Sequence, residues 1–301
     1  MGGRAVPHPA AGLHLLLRNA ARVPTVSTVN VNGVRAAAPK GLARWLAGTA
    51  ADVVCLQETR AALDEVPAGL FDGWHVSWAE NTLTRGRGGV ALLTREPPQA
   101  VRVGIGAAEF DDAGRYVEAD LPGVTVASLY LPNGTVGTPR QDEKDRFRAL
   151  FAPYLTERRA KAAAEDREVL VCGDWNCPYP PRRLRKLRRL PSPGAPGEAD
   201  MRNWRGNRRS SGFLPEEREW VAGLLASGWV DVVRELHPGV DGPYSWWSYR
   251  GRAFDNNTGW RIDLQLATPG LAAGARTAVV ERAPSHPERW SDHAPVTVGY
   301  A

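Results

Sequence analysis

The residues best suited to chemistry stand at the end of one apolar stretch, residues 169–173. Asp174 and Asn176 come directly after it, and in an extended chain two residues with this spacing point to the same side. A carboxylate beside an amide suits work on a phosphate ester, because the carboxylate can take a proton from water while the amide holds an oxygen. Taken alone, the pattern Gly-Asp-x-Asn is more typical of a turn that closes a strand, so the interpretation depends on the other strands.

Polar side chains follow several other apolar stretches in the same way. They are Asn30, Asn32, Glu58, Tyr130 and Asn133. Asp263 lies at the start of a further apolar stretch, and Asp292 and His293 lie just before the last predicted strand. So many amides and carboxylates at the ends of strands predict one shared cleft. Carboxylate and amide oxygens without cysteine ligands favour Mg²⁺ or Mn²⁺ over Zn²⁺ as the metal of such a cleft.

The elements that must position these residues are mostly short strands. Apolar patterns predict helices at 39–47, 140–157 and 215–227, and strands at 25–29, 53–56, 74–78, 89–93, 116–121, 124–129, 169–173, 230–233, 262–267, 277–280 and 295–299. Few strands are joined by crossover helices, which favours an α+β fold over a doubly wound parallel sheet. We expect a four-layer αββα sandwich, with two mainly antiparallel sheets and helices outside, built by a single domain at 25–301.

Composition sets further bounds. The formal net charge of +5 mildly favours a polyanionic partner. The three cysteines, Cys55, Cys172 and Cys177, form neither a disulfide framework nor a zinc spacing. This usage fits a reducing compartment, and we expect a cytoplasmic protein. No apolar run in the sequence approaches the length of a membrane helix.

Two segments depart from the regular pattern. Residues 1–24 predict a disordered N-terminal extension, although a targeting segment or an over-extended start would also fit. Residues 180–197 form a basic, Pro-rich insertion. A solvated loop and a contact to a nucleic-acid backbone are equally compatible with this insertion.

The motifs taken together resemble the exonuclease III family of abasic-site (AP) endonucleases, within the endonuclease/exonuclease/phosphatase fold. Among them are Leu56-Gln57-Glu58-Thr59, Gly173-Asp174-Trp175-Asn176 and Ser291-Asp292-His293-Ala294-Pro295. Further motifs lie at 30–35, 88–91, 129–134, 202–207, 211–218, 244–249 and 259–263, in the order that the family has them. Each motif is weak alone, but the ordered set is specific.

The resemblance implies a catalytic Mg²⁺, with Mn²⁺ as a possible substitute. Glu58 is implied as a metal ligand with Asn32 nearby, and Asp292 as a residue of a second metal position or a support for the first. The ion would neutralise the scissile phosphate and its leaving oxygen.

The resemblance also implies catalytic roles for Tyr130, Asp174, Asn176, Asp263 and His293. Asp174 would orient and deprotonate the attacking water, while Asn176 holds a phosphate oxygen. The Asp263 carboxylate would fix the imidazole of His293 so that its other nitrogen faces the phosphate. Tyr130 would donate a hydrogen bond to a phosphate oxygen, although a role as a core aromatic is the alternative.

The remaining implied contacts concern DNA. Phosphate binding is implied for Asn30, Asn133 and Asn207. A small apolar pocket for a flipped-out abasic deoxyribose is implied for Trp246, Trp260 and Ile262, the alternative being that these side chains are simply core.

The implied function is a Mg²⁺-dependent DNA repair nuclease that incises duplex DNA 5′ to abasic sites and leaves a 3′-hydroxyl. It would also have 3′–5′ exonuclease and 3′-end-cleaning activity, act as a monomer on duplex DNA with abasic sites or blocked 3′ ends, and associate with the nucleoid. The alternatives are a phosphatase or phosphodiesterase of the same fold acting on other phosphoesters, and an inactive nucleic-acid-binding regulator. The sequence departs from the family pattern at Cys177-Pro178-Tyr179, where relatives usually have Ile-Ala-His, and at Ser210, where relatives often have Asn.

Overall fold

Short apolar stretches form the strands that dominate the protein. The computed structural model describes residues 24–179 and 200–301. The strands in these ranges are β1 Thr25–Asn30, β2 Val53–Gln57, β3 His75–Ala79, β4 Val90–Thr94, β5 Ala100–Val103, β6 Tyr116–Leu121, β7 Val124–Tyr130, β8 Glu168–Asp174, β9 Val230–Asp231, β10 Asp263–Ala267, β11 Ala275–Val280 and β12 Val296–Tyr300.

The strands assemble into two six-stranded sheets. The first sheet has the order β11-β12-β1-β2-β4-β3, and the second has the order β5-β6-β7-β8-β10-β9. Within each sheet one central pair is parallel, β1 with β2 and β7 with β8, whereas the other described pairs are antiparallel. The expected two mainly antiparallel sheets are therefore confirmed.

Helices join the strands of each parallel pair and cover the outer faces of the sheets. They are α1 Val34–Ala37 and α2 Ala43–Gly48, linked by the wider turn Ala38–Leu42, then α3 Ala108–Asp111, α4 Pro139–Ala164, α5 Pro215–Ala226, α6 Val232–Leu236 and α7 Pro269–Ala273. Short 3₁₀ turns lie at Leu63–Glu65, Trp204–Asn207 and His286–Glu288.

Three apolar clusters hold the four layers together. Between the sheets, Val26 and Leu92 of the first sheet pack in one cluster with Val126 and Cys172 of the second. A second cluster buries α1 and α2 against the first sheet, and a third buries α4 and α5 against the second. Each fully buried Leu, Val or Phe contributes roughly 1.5–3 kcal/mol to such a core, so the sandwich fixes the strand ends rigidly.

The same sandwich brings the polar strand ends to one edge. β1, β2, β7 and β8 all finish there, and β10 runs antiparallel to β8 so that Asp263 lies opposite Asp174. β12 runs antiparallel to β1, with Val296 paired to Thr28, so the segment just before β12 reaches the same edge. The predicted shared cleft follows from this register.

Two strand predictions need correction. Residues 230–233 do not form one strand, because β9 ends at Asp231 and α6 begins at Val232. The Asp231 side chain accepts a hydrogen bond from the backbone N of Arg234, so it caps the helix and ends the strand. The strand β5 was not predicted, since it is an edge strand whose residues are mostly exposed and carry no clear apolar alternation.

Two helices are longer than predicted. The helical region expected at 39–47 begins at Val34, because Pro39 lies within the widened turn rather than at a helix start. The helix expected at 140–157 spans Pro139–Ala164 and accommodates Pro153 in its interior. The helix expected at 215–227 is confirmed at Pro215–Ala226.

The predictions for residues 1–24 and 180–197 fall outside the described residues, apart from Pro24. Cys55, Cys172 and Cys177 are all buried with unpaired thiols, as expected for core cysteines. Across 24–179 and 200–301, none of the helices combines the length and apolarity needed to cross a bilayer.

Candidate active site

Asn30 is the polar centre of the shared edge. This last residue of β1 is completely buried, and its Nδ2 donates to Glu58 Oε1 and to Asp174 Oδ2, both at 2.9 Å. Its Oδ1 accepts from the backbone N of Asn32 at 2.9 Å. One amide therefore holds two carboxylates side by side, and the predicted phosphate contact of Asn30 would have to compete with these bonds.

Glu58 stands on a sharp turn after β2. Its backbone adopts the left-handed conformation with φ 49°. The next two residues bond to the turn before β4: Thr59 N donates to Gly89 O, and Arg60 N donates to Gly88 O. The Arg60 guanidinium donates to Glu58 Oε2, with Nε at 2.8 Å. The carboxylate is half-buried, so it faces the cleft with one cation already beside it.

Asp174 lies at the centre of the site and is only 2% exposed. The preceding Gly173 has φ 148°, and a Cβ there would lie 1.9 Å from the carbonyl oxygen of Leu129. Glycine thus lets β7 and β8 approach and places Asp174 at the edge. Burial raises the pKa of Asp174 to about 7; His293 opposes this rise and Asp263 adds to it. A carboxyl group with this pKa can exchange a proton near neutral pH.

Asp263 and His293 form the predicted pair. His293 Nδ1 lies 2.8 Å from Asp263 Oδ2, and its Nε2 faces Asp174 Oδ2 at 3.8 Å. Burial lowers the pKa of His293, but the Asp263 carboxylate outweighs it and Asp174 adds to the effect, so that the pKa rises to about 10. The ring is therefore an imidazolium at neutral pH, and its positive charge lies beside the carboxyl group of Asp174.

This pairing predicts how stability depends on pH. The pKa of His293 is raised from 6.5 to about 10 on folding, so its contribution to stability is complete below pH 6.5 and is lost as the pH rises toward 10. Asp263→Asn removes the partner and should flatten this loss. Thermal unfolding of both proteins between these pH values tests the expectation, and parallel curves for wild type and variant would contradict it.

Tyr130 completes the inner wall. It ends β7 opposite Asp174 in the parallel register and is 8% exposed. Burial raises the pKa of its hydroxyl well above the usual value, and the Glu58 carboxylate adds to this rise. The Arg115 guanidinium lies 4.9 Å from the ring centroid. Tyr130 therefore keeps its proton at neutral pH and can act as a hydrogen-bond donor.

The residues predicted as metal ligands fall into two subsets. Asn32 Nδ2 donates to Asp292 Oδ1 at 2.8 Å, and Asp292 Oδ2 accepts from Trp246 Nε1 at 3.0 Å. Both Asp292 oxygens thus have protein donors, and so do both Glu58 oxygens, Oε1 from Asn30 and Oε2 from Arg60. Within the described ranges, no group of three or more His, Cys, Asp or Glu residues is placed to hold a metal.

This donor set still fits Mg²⁺. The ion usually binds through one or two carboxylates and completes its shell with water and substrate oxygens. Glu58 supplies one half-buried carboxylate and Asn32 an amide, which matches that chemistry and lacks the cysteine or clustered histidine donors that zinc favours.

Two tryptophans form an aromatic wall beside the imidazole. Trp246 and Trp260 are half-buried, with ring centroids 5.2 Å apart and planes inclined at 66°, and the Trp246 ring lies 6.5 Å from that of His293. Each tryptophan donates its backbone N to the carbonyl of the other at 2.9 Å. Ile262 is 4% exposed and directly precedes Asp263 in the chain.

The three outer amides are placed differently from one another. Asn207 is occupied within its own turn, with Nδ2 donating to Asn203 O at 3.0 Å and Oδ1 accepting from Ser210 Oγ at 3.1 Å. Asn133 is exposed beyond the end of β7. Asn176 has φ 48°, and its Nδ2 donates to Leu131 O at 2.9 Å.

Several supporting residues were not predicted from the sequence. Ser291 Oγ donates to Asn30 O at 2.6 Å and accepts from the backbone N of His293 at 3.2 Å. Ser245 Oγ accepts from the backbone N of Asp263 at 3.1 Å. Arg60, the partner of Glu58, is the third of them. The sequence held a signal for these residues, because all three lie inside or next to the recognised motifs. Serine, however, is also common at turns, so the residue type alone did not single them out.

Comparisons with known proteins show which family the chain resembles. A model of the Endonuclease/Exonuclease/phosphatase family matches residues 27–293. The chain is 32% identical over 276 residues to the DNA repair nuclease APEX1 of Danio rerio, covering 91% of this chain and 81% of that protein. It is 33% identical over 268 residues to an exodeoxyribonuclease of Bacillus subtilis (strain 168), covering 89% and 95%.

Solved structures give the same result. A 3′ phosphatase, NExo, from Neisseria, solved with a product DNA hairpin, has a TM-score of 0.77 at 28% identity and covers 93% of this chain and 100% of that one. An AP endonuclease from Archaeoglobus fulgidus has a TM-score of 0.75 at 26% identity, covering 92% and 99%. The expected fold class and the family resemblance are both confirmed.

Proposed function

The chain belongs to the endonuclease/exonuclease/phosphatase family, and from this premise we propose that it is a Mg²⁺-dependent DNA repair nuclease. It incises duplex DNA on the 5′ side of an abasic site and leaves a 3′-hydroxyl, and it also removes nucleotides or blocking groups from 3′ ends. The observation that carries the proposal is the position of Asp174. Its buried carboxyl group, with a pKa raised to about 7, lies between Glu58 and the imidazolium of His293.

The chemistry follows from the positions of the side chains. Asp174 takes a proton from a water molecule whose oxygen forms a bond to the phosphorus. The bond between phosphorus and the 3′ oxygen breaks, and that oxygen takes a proton from solvent. His293 and Tyr130 stabilise the negative charge on the phosphate oxygens as donors that are already in place. Asn176 Nδ2 donates one hydrogen to Leu131 O, and its second hydrogen would bond a phosphate oxygen.

Glu58 would hold the metal ion, with Asn32 beside it and Asp292 orienting Asn32. When bound, the ion supplies positive charge to the phosphate and its leaving oxygen. Arg60 occupies Glu58 Oε2 in the structure, so we propose that this contact is exchanged when the metal binds.

The aromatic wall gives the site its preference for a missing base. Trp246, Trp260 and Ile262 would contact the apolar face of a flipped-out deoxyribose. The Trp246 ring lies beside the His293 ring. A deoxyribose that contacts the two tryptophans would therefore have its phosphate close to His293 and Asp174.

The relatives support the choice of DNA as substrate. The names of the Danio rerio and Bacillus subtilis proteins denote nucleases acting on DNA, and the net charge of +5 suits a polyanionic partner. The Neisseria neighbour is described as a 3′ phosphatase, which favours 3′-end cleaning as a second activity of the same site. We also propose that the protein acts as a monomer in the cytoplasm, where it associates with the nucleoid.

One assay tests this proposal. End-labelled duplexes that carry a single tetrahydrofuran abasic analogue, no lesion, or a 3′-phosphate are incubated with protein in Mg²⁺ and in EDTA. We expect Mg²⁺-dependent incision 5′ to the analogue and little cutting within the undamaged duplex. Tight binding without incision would instead support a regulator, and turnover of inositol phosphates without DNA cutting would support a phosphatase for other substrates.

A further inference from the structure

A buried ion pair lies behind the active site, on the helical side of the second sheet. Lys144 of α4 and Glu217 of α5 are both completely buried, and Lys144 Nζ lies 2.9 Å from Glu217 Oε1. Removing two charges from water is costly, and a well-packed apolar pair in the same place is often as stable. The pair therefore calls for a reason other than stability.

The ammonium group reaches a catalytic loop. Lys144 Nζ donates to the carbonyl oxygen of Asn176 at 2.9 Å. Asn176 has the left-handed backbone conformation, φ 48°, and its backbone N donates to Asp174 Oδ1 at 3.0 Å. One peptide segment thus connects the ammonium of Lys144 to the carboxylate of Asp174, so that the orientation of Asn176 depends on both ends.

The carboxylate of the pair reaches a second loop. Glu217 Oε2 accepts from the backbone N of Leu214 at 2.9 Å and caps α5, while Oε1 accepts from Ser211 Oγ at 3.3 Å. Ser211 directly follows Ser210, whose hydroxyl donates to Asn207 Oδ1 at 3.1 Å. The loop that carries Asn207 is therefore held to the same ion pair.

A third loop packs on the same cluster without a side chain of its own. A Cβ on Gly134 would lie 2.2 Å from Ser211 Oγ and 2.3 Å from Gln141 Oε1. A larger residue at 134 would have to displace these two side chains, and Gly134 directly follows Asn133 in the chain. The three loops that carry Asn133, Asn176 and Asn207 therefore meet around one buried pair.

We propose that Lys144 and Glu217 are positioning residues that set the geometry of the phosphate-binding loops, above all the orientation of Asn176. The inference rests on the proposed nuclease function. A charged pair suits this role, because an ammonium group bound to a carbonyl and a carboxylate bound to an amide fix direction as well as distance. Small errors in such alignment reduce catalysis strongly.

The test is the double variant Lys144→Met with Glu217→Gln. It leaves no unpaired buried charge. The amide that Glu217→Gln introduces can still accept from Leu214 N through its oxygen and can donate to Ser211 Oγ through its nitrogen. The bond from Gln141 Nε2 is lost, and the main loss is the donor to the Asn176 carbonyl. We expect kcat for incision at a tetrahydrofuran site to fall on the order of 10- to 100-fold. KM for the duplex should change less than about threefold, because Asn176 acts mainly on the transition state.

A matched control lies on the same helix. Arg158 and Glu118 form another buried ion pair at 3.0 Å. Glu118 also accepts from Arg102, which keeps Asp120 as a second partner. Arg158→Met with Glu118→Gln therefore also neutralises a buried pair, far along α4 from Lys144. We expect this control to keep its kcat even if its midpoint of thermal unfolding falls as much. Lys144→Arg keeps a cationic donor, so it should retain most of the activity that is lost in Lys144→Met.

Three results separate the possible failures. Wild-type kcat in a folded Lys144→Met, Glu217→Gln protein would overturn the positioning role. An equal loss of kcat in the Arg158 and Glu118 control would overturn the positioning role as well, since the removal of any buried ion pair would then lower kcat. If the double variant does not fold, Lys144→Gln together with Glu217→Gln gives the same comparison, because the glutamine side chain at 144 is one atom shorter than lysine and carries no charge. Absence of incision by the wild type would instead reject the nuclease function.

Discussion

Asp174→Asn will reduce the rate of incision at an abasic analogue on the order of 10³- to 10⁴-fold and will leave the affinity for the same duplex within a few-fold of wild type. The variant retains the size of the side chain and an oxygen that can accept a bond from Asn30. It can no longer take a proton from water, so the loss falls on the chemical step. Single-turnover incision and fluorescence anisotropy in the same buffer measure the two quantities.

Asp72→Asn is the matched control for this change. Asp72 is exposed on the turn before β3, so the substitution removes the same charge at a site without a catalytic contact and should leave incision unchanged. An Asp174→Asn protein that cuts within about tenfold of wild type would remove Asp174 from the role of base.

Glu58→Gln should give the second large effect, through the metal. The substitution keeps an oxygen that can accept from Asn30 Nδ2, which now bonds Glu58 Oε1 at 2.9 Å, so the fold of the edge should persist. It removes the carboxylate that we propose as the metal ligand. Because a bound divalent ion supplies several kcal/mol of charge stabilisation, incision at low Mg²⁺ should fall by about 10²-fold or more.

A titration of Mg²⁺ separates lost affinity from lost chemistry. We expect the Mg²⁺ concentration that gives half-maximal incision to rise in Glu58→Gln, and Mn²⁺ binding measured by electron paramagnetic resonance without DNA to weaken in parallel. Glu96→Gln, an exposed residue after β4, is the control and should behave as wild type. Unchanged Mn²⁺ binding and Mg²⁺ response in Glu58→Gln would place the metal elsewhere.

The fold was predictable where the signals are local. Continuous apolar stretches such as the one before Asp174 identify buried strands, because a strand that is covered on both faces carries apolar side chains at successive positions. The prediction was wrong at 230–233, where the Asp231 side chain caps a helix that an apolar pattern alone does not distinguish from a strand. It missed the edge strand β5, whose exposed residues leave no periodic signal.

The candidate site was predictable as a set of residue types. Asp174, Asp263 and His293 could be named because each follows or begins an apolar stretch within a recognisable motif. Their mutual arrangement was not accessible from local pattern. The bond from Asn30 to Asp174 joins residues 144 positions apart, and only the register of the two sheets brings them together.

The sequence by itself determined which side chains this protein can use, two carboxylates, an acid–imidazole pair and several amides at the ends of strands. The tertiary structure alone decided their chemical states and their support. Burial raises the pKa of Asp174, Asp263 makes His293 a cation, and Lys144 with Glu217 holds the loops behind them. These properties depend on distance and on exclusion of water, which are set only when remote segments pack against each other.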